Sequence, residues 1–173
     1  MGYSFRPLAF VGPSGSGKTT LIEKLIARLS SQGVRVGAIK RSHHRVDIDR
    51  EGKDSWRFRR AGANPTAVAG EGFIAHMEKT DKKIELDQLL KKFEGKADIV
   101  LIEGFKNENV PRFAFAGSGG GEGAPADVAD ENVMGFVIEG ETGPGRFGGK
   151  PVFRRDEIAE ISEYIIQRVI GDE

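Results

Sequence analysis

Gly12-Pro13-Ser14-Gly15-Ser16-Gly17-Lys18-Thr19 gathers three glycines, an amine and three hydroxyls into eight consecutive residues. The pattern G-x-x-x-x-G-K-[ST] is an anion trap. Glycines let successive backbone N–H groups turn toward one point with no side chain in the way. A helix that follows then aims its unsatisfied N–H groups and the positive end of its dipole at the same point. In such a loop Lys18 reaches the β- and γ-phosphates of a nucleotide. The Thr19 hydroxyl ligates Mg²⁺, and Thr20 adds a contact to the α-phosphate.

Trapped phosphate calls for an acid that organises the metal. Ile99-Val100-Leu101-Ile102 is a continuous apolar run that delivers Glu103 at its end, and in open α/β sheets ligands bind beyond the carboxyl ends of the strands. Glu103 is therefore the first candidate metal partner, with Asp47 and Asp49 as two more. Both aspartates lie on a polar segment, Lys40-Arg41-Ser42-His43-His44-Arg45-Val46-Asp47-Ile48-Asp49. Within it His43, His44 and Arg45 are candidates to touch a phosphate or a second anionic molecule. Arg57, Arg59 and Arg60 read as the solvated side of a short helix, and Trp56 and Phe58 as packing residues. No Asn-Lys-x-Asp or Thr-Lys-x-Asp string, the carboxylate device that reads guanine, is present. Spacing alone therefore names no base.

The elements that would position these residues alternate. Leu8–Val11 reads as a buried strand, and Thr19 to Ser31 as a helix with Leu21, Ile22, Leu25, Ile26 and Leu29 on one face, stopped at Gly33. Val34 to Lys40 reads as a second strand, so the first forty residues form a strand–helix–strand unit with parallel strands. A short helix over Ser55 to Ala61, a strand over Thr66 to Ala69 with Phe73 to Glu78 beside it, and a helix over Asp87 to Phe93 follow. Residues 117–149 hold 11 of the 24 glycines, and there only Val133 to Ile138 reads as a strand; the rest is expected to be loop. Pro151-Val152-Phe153 and a helix from about Asp156 to Val169 complete the pattern. Apolar rather than alternating strands predict an α/β fold: a mostly parallel sheet with helices on both faces, of the P-loop NTPase type. The expected organisation is one nucleotide-binding domain over 1–173, with 117–149 as a glycine-rich insertion.

Composition narrows the function classes. The 173 residues carry 26 basic and 26 acidic side chains and no cysteine, which rules out disulfides and cysteine metal sites and suits the cytoplasm. Residues 1–60 hold 13 Lys/Arg against 5 Asp/Glu, a surplus that suits a compact anionic ligand. Basic runs interleaved with aromatics are missing, so a nucleic-acid partner is not expected. No apolar run approaches the length of a membrane span.

Four strings in order resemble the MobB family, the molybdopterin-guanine dinucleotide biosynthesis protein B family. They are the phosphate loop, the His43-His44…Asp47-x-Asp49 loop, Gly52-Lys53-Asp54-Ser55…Arg57-x-Arg59…Ala61-Gly62-Ala63, and Ile102-Glu103-Gly104-Phe105-Lys106 running on to Val110-Pro111-Arg112. The resemblance implies a homodimeric GTP- and Mg²⁺-binding protein that hydrolyses GTP slowly at most. Such a protein assists a MobA-like guanylyltransferase, which joins GMP to molybdopterin. By motif position it puts Gly12, Pro13, Ser14, Gly15, Ser16, Gly17, Lys18, Thr19 and Thr20 on the phosphates, with Thr19, Glu103 and Asp47 or Asp49 near the metal. The late ending Val137-Ile138-Glu139-Gly140 departs from the Asp-containing ending expected of the family. Two other readings fit the same residues: a small-molecule kinase or ATP-dependent ligase in which Asp47 or Asp49 activates an acceptor, and a nucleotide switch in which residues 41–52 order around the γ-phosphate.

Overall fold

A computed structural model of the chain describes residues 2–42, 46, 48–116, 126–140 and 145–171. The backbone divides into two compact units, Met1–Arg41 with Leu86–Glu173, and Ser42–Glu85.

The larger unit is built on a seven-stranded sheet. Its strands are β1 (Arg6–Val11), β2 (Val36–Lys40), β5 (Ile99–Glu103), β6 (Arg112–Phe115), β7 (Val133–Ile138), β8 (Arg146–Phe147) and β9 (Lys150–Arg154), in the order β2-β5-β1-β6-β7-β9-β8. Every neighbouring pair is parallel except β8 with β9. Strand side chains alternate between two apolar layers. Leu8, Phe10, Ile99, Leu101, Phe113 and Val137 meet α1 (Lys18–Ser31) through Leu21, Leu25 and Leu29, and α4 (Ile158–Ile165) through Ile161 and Ile165. Ala9, Val11, Val100, Ile102, Ala114 and Phe136 face the other way, where Leu86 and Leu90 of α3 (Leu86–Leu90) cover them. Helices thus close both faces, the arrangement that continuous apolar strands require.

The first strand–helix–strand unit follows its sequence pattern closely, and Gly33, at φ 85°, ends α1 as expected. β2 begins two residues later than the apolar pattern suggests: ahead of the ladder the Arg35 carbonyl accepts from the Asp98 N–H, but the Arg35 N–H donates to the Asp98 carboxylate instead of to a strand partner. The helix expected over Asp87 to Phe93 divides into α3 and a 3-10 turn at Lys91–Phe93. The last helix likewise passes into a π-turn at Ile166–Ile170. Strand β6 has no counterpart in the pattern analysis, although it lies between β1 and β7 and is buried throughout. The expectation of a single strand within 117–149 is corrected by β8, a two-residue strand that pairs antiparallel with β9. A 3-10 turn at Ala126–Ala129 is also present.

The smaller unit holds α2 (Asp54–Arg60) and the antiparallel pair β3 (Thr66–Gly70) and β4 (Phe73–Met77). Asn64 clips the far end of the hairpin, donating to the Lys79 carbonyl at 3.1 Å and accepting from its N–H at 2.7 Å. Asp49 pins the preceding loop to α2: its carboxylate, 7% exposed, accepts from Ser55 Oγ at 2.9 Å and pairs with Arg59 at 3.2 Å.

Candidate functional site

Residues 12–17 connect β1 to α1 in the left-handed turns that only glycine takes readily, with φ of 152°, 76° and 83° at Gly12, Gly15 and Gly17. A methyl group on Gly12 would lie 2.6 Å from the Phe115 Cβ, so β6 sets how closely the loop can pass. At Gly17 the obstacle is Arg155, whose guanidinium nitrogen lies 2.6 Å from where a methyl would be. That guanidinium also pairs with Glu139 at 2.9 Å and approaches the Ser16 carbonyl at 3.5 Å. The loop is thus braced by the ends of β6 and β9, two elements that lie more than ninety residues downstream.

No side chain caps α1 and no acid sits in its first turn, so its positive end is available to an anion. Lys18 is 9% exposed. It folds back over the loop, donating to the Gly12 carbonyl at 3.1 Å, to the Pro13 carbonyl and to Ser16 Oγ at 3.1 Å. Burial lowers its pKa, the Glu103 carboxylate opposes that shift, and Lys40 adds to it. The lysine that would reach the β- and γ-phosphates is held at the mouth of the loop by weak carbonyl acceptors, which a phosphate oxygen can outbid.

Glu103 ends β5 at the carboxyl edge of the sheet, as the pattern predicts. It accepts from the Thr19 hydroxyl at 2.8 Å and pairs with Lys40 at 3.1 Å; Lys40 Nζ is also 3.1 Å from Thr19 Oγ1. Strand register produces this meeting, since Lys40 and Phe10 both align with Glu103 across the sheet. Hydroxyl and carboxylate are hard oxygen donors, a pair that would suit Mg²⁺ brought in with a nucleotide. No cluster of three His, Cys, Asp or Glu residues able to hold a metal is found among the described residues. Next to Glu103, Gly104 donates its N–H to the Phe10 carbonyl at 3.2 Å, and Arg41 lies 4.9 Å from the centre of the Phe105 ring.

The structure brings Gly12 to Thr20 and Glu103 into one cluster. Asp49 belongs to the smaller unit, with its carboxylate committed to Ser55 and Arg59. His43, His44, Arg45 and Asp47 lie outside the described residues. Pattern reading missed Lys40 as a partner of Glu103, along with Phe115 and Arg155. Only Lys40, placed at a strand end like Glu103, carried a signal that could have been followed.

Beside the loop, Pro13, Ser14, Phe115, Ile138, Glu139 and Arg155 line a cavity of about 140 Å³. A larger one, about 580 Å³, opens at the amino ends of the strands between Tyr3, Arg6, Pro111 and Met134. Size favours the second, but the loop, the helix dipole and the strand carboxyl ends favour the first.

The profile of the family described as Molybdopterin guanine dinucleotide synthesis protein B matches residues 7–139. The molybdopterin-guanine dinucleotide biosynthesis adapter protein of Haemophilus influenzae is 47% identical over 106 residues, 61% of this chain and 60% of its own length. That of Escherichia coli is 42% identical over 130 residues, 73% of this chain and 74% of its own. The match thus spans about three-fifths of the Haemophilus relative and three-quarters of the Escherichia one. Among solved structures, that of Bacillus subtilis MobB superposes with a TM-score of 0.78 at 26% identity, covering 97% of this chain and 100% of the other.

Proposed function

The chain belongs to the molybdopterin guanine dinucleotide synthesis protein B family, and from that premise we propose that it is a GTP-binding adapter in molybdenum-cofactor synthesis. Residues Gly12 to Thr20 hold the triphosphate, Lys18 neutralises its β- and γ-oxygens, and Thr19 with Glu103 hold Mg²⁺. The observation that carries this reading is the Lys18 ammonium turned onto the Gly12 and Pro13 carbonyls at the foot of an uncapped helix. An accessory role is favoured over a kinase or ligase because the relatives that match are named adapter proteins.

The partner in this reading is a MobA-like guanylyltransferase acting on molybdopterin, and the working form is a homodimer. Support for self-association comes from the smaller unit, where Phe58, Val68, Phe73 and Ile74 are exposed around a sheet that, among the described residues, has two strands. Such a ribbon is marginal alone and gains most from a second copy pairing along an edge.

Binding of a fluorescent GTP analogue tests the core of the proposal. The wild-type chain should bind it more tightly than the ATP counterpart, and Lys18→Ala should weaken binding roughly a hundredfold, since hydrogen bonds to charged groups are worth ~1.5–3 kcal/mol each. Added to the transferase with GTP, the wild-type chain should raise dinucleotide formation and Lys18→Ala should not. Equal affinity for the two proteins, or equal stimulation without nucleotide, would remove the mechanism.

A further inference from the structure

Lys40 is charged, sits at the site, and has no part in holding phosphate as described so far. Strand register fixes its place: β2 and β5 run parallel with Lys40 opposite Glu103, so both side chains leave the sheet on the same side at its carboxyl edge. The contacts close a triangle. The Thr19 hydroxyl gives its one proton to Glu103 Oε2 at 2.8 Å, and Lys40 Nζ lies 3.1 Å from both the hydroxyl oxygen and the same carboxylate oxygen. Lys40 therefore uses the lone pairs that a metal ion would need from Thr19 and Glu103.

An ammonium and a magnesium ion cannot share those donors, because like charges a few ångströms apart repel strongly wherever water is partly excluded. The Glu103 side chain is only 17% exposed, whereas that of Lys40 is 58% exposed. The lysine can swing away without repacking the core, while Glu103 stays. Resting on the reading that Thr19 and Glu103 receive the metal of a bound nucleotide, we propose that Lys40 is a tethered cation. It holds Thr19 and Glu103 together before the metal arrives, competes with Mg²⁺ for them, and so sets how much Mg²⁺ the chain needs. With no metal, its charge offsets the carboxylate that an incoming triphosphate would otherwise face, so GTP binds in EDTA. With metal, Lys40 is displaced and the gain from Mg²⁺ is reduced by the loss of its contacts.

The measurement is the affinity for the fluorescent GTP analogue in excess Mg²⁺ divided by the affinity in EDTA, on the full chain. Lys40→Met should weaken binding in EDTA, leave binding in Mg²⁺ equal or stronger, and so raise the ratio roughly tenfold, about the worth of one charge-assisted contact. Lys40→Arg keeps the charge and should keep the ratio within about twofold of wild type. Glu103→Gln should collapse the ratio in both the wild-type and Lys40→Met backgrounds. An unchanged ratio in Lys40→Met would make Lys40 a surface ion pair, and a smaller one would make it a positioner of the metal site; either overturns the proposal. A wild-type chain that binds no analogue in either buffer overturns the nucleotide reading and this one together. Binding by wild type with no change on losing Lys40 overturns this one alone.

Discussion

At the scale of single residues the loop separates two kinds of glycine. Gly12 needs both its φ of 152° and the absence of a side chain, since Phe115 would stand 2.6 Å from a methyl group; Gly15, at φ 76°, has nothing within 4 Å. Gly12→Ala should therefore cost about 2–3 kcal/mol, combining an overpacked contact with backbone strain, and Gly15→Ala only about 1 kcal/mol. Thermal melts of the two variants check this; equal losses would mean that β6 yields to the methyl. The need for glycine was legible from the pattern G-x-x-x-x-G-K-[ST]. What each glycine avoids was not, because Phe115 and Arg155 carry no local mark that ties them to residues 12 and 17. Lys40 stood in view as part of a basic string, yet only the pairing of β2 with β5 shows that its partner is Glu103.

At the scale of elements, those announced by repeated apolar spacing were readable: β1, α1, β5 and the stripe of α4. Strand β6 was not. It is four residues long, it follows Pro111 and opens on arginine, and its apolar stretch Phe113-Ala114-Phe115 runs straight toward the glycine-rich segment, so the pattern gave it no clear bounds. Arg112 is nonetheless buried, because its guanidinium donates to the carbonyls of Lys106 and, at 2.6 Å, Glu108, folding the preceding loop over the charge. The starts of β2 and β5 are joined by another arginine. Asp98 accepts from the Arg35 side chain and, at 2.8 Å, from its backbone N–H, and those bonds hold the Asp98 pKa below the ordinary 3.8. A depressed carboxylate pKa stabilises the fold above its ordinary value, and that contribution is lost as the pH falls through the lowered one, where the native state must also take up the proton. Asp98→Asn should therefore unfold at lower urea than wild type at pH 7, and the gap should narrow toward pH 3. A gap that does not change with pH would mean that the charge of Asp98 is not what joins these strands.

At the scale of the whole molecule, the sheet's mostly parallel order and its two covered faces followed from the apolar strands and the alternation of elements. The division into two units did not, because α2, β3 and β4 read as further members of the same alternation, whereas β3 and β4 form a two-stranded sheet of their own. Their exposed apolar side chains carry the prediction at this scale. In sedimentation velocity the wild-type chain should run as a dimer. Ile74→Asp, at a position 76% exposed, should shift it toward monomer without lowering its melting temperature in dilute solution. A wild-type monomer at micromolar concentration, or an Ile74→Asp dimer as tight as wild type, would reject pairing through the hairpin.

The bracing of the phosphate loop by Phe115 and Arg155 has a consequence for synthesis on the ribosome. Residues 12–19 are translated well before the elements that brace them, and the apolar face of the helix they open packs on later residues, Ile99, Leu101 and Ile161 among them. Their strand β1 lies between β5 and β6, and the Gly17 turn rests on a side chain from position 155. A nascent chain would therefore display its nucleotide motif long before it could hold a nucleotide. Chains arrested at about residue 110 should capture no GTP, and capture should begin only once β9 has emerged from the exit tunnel.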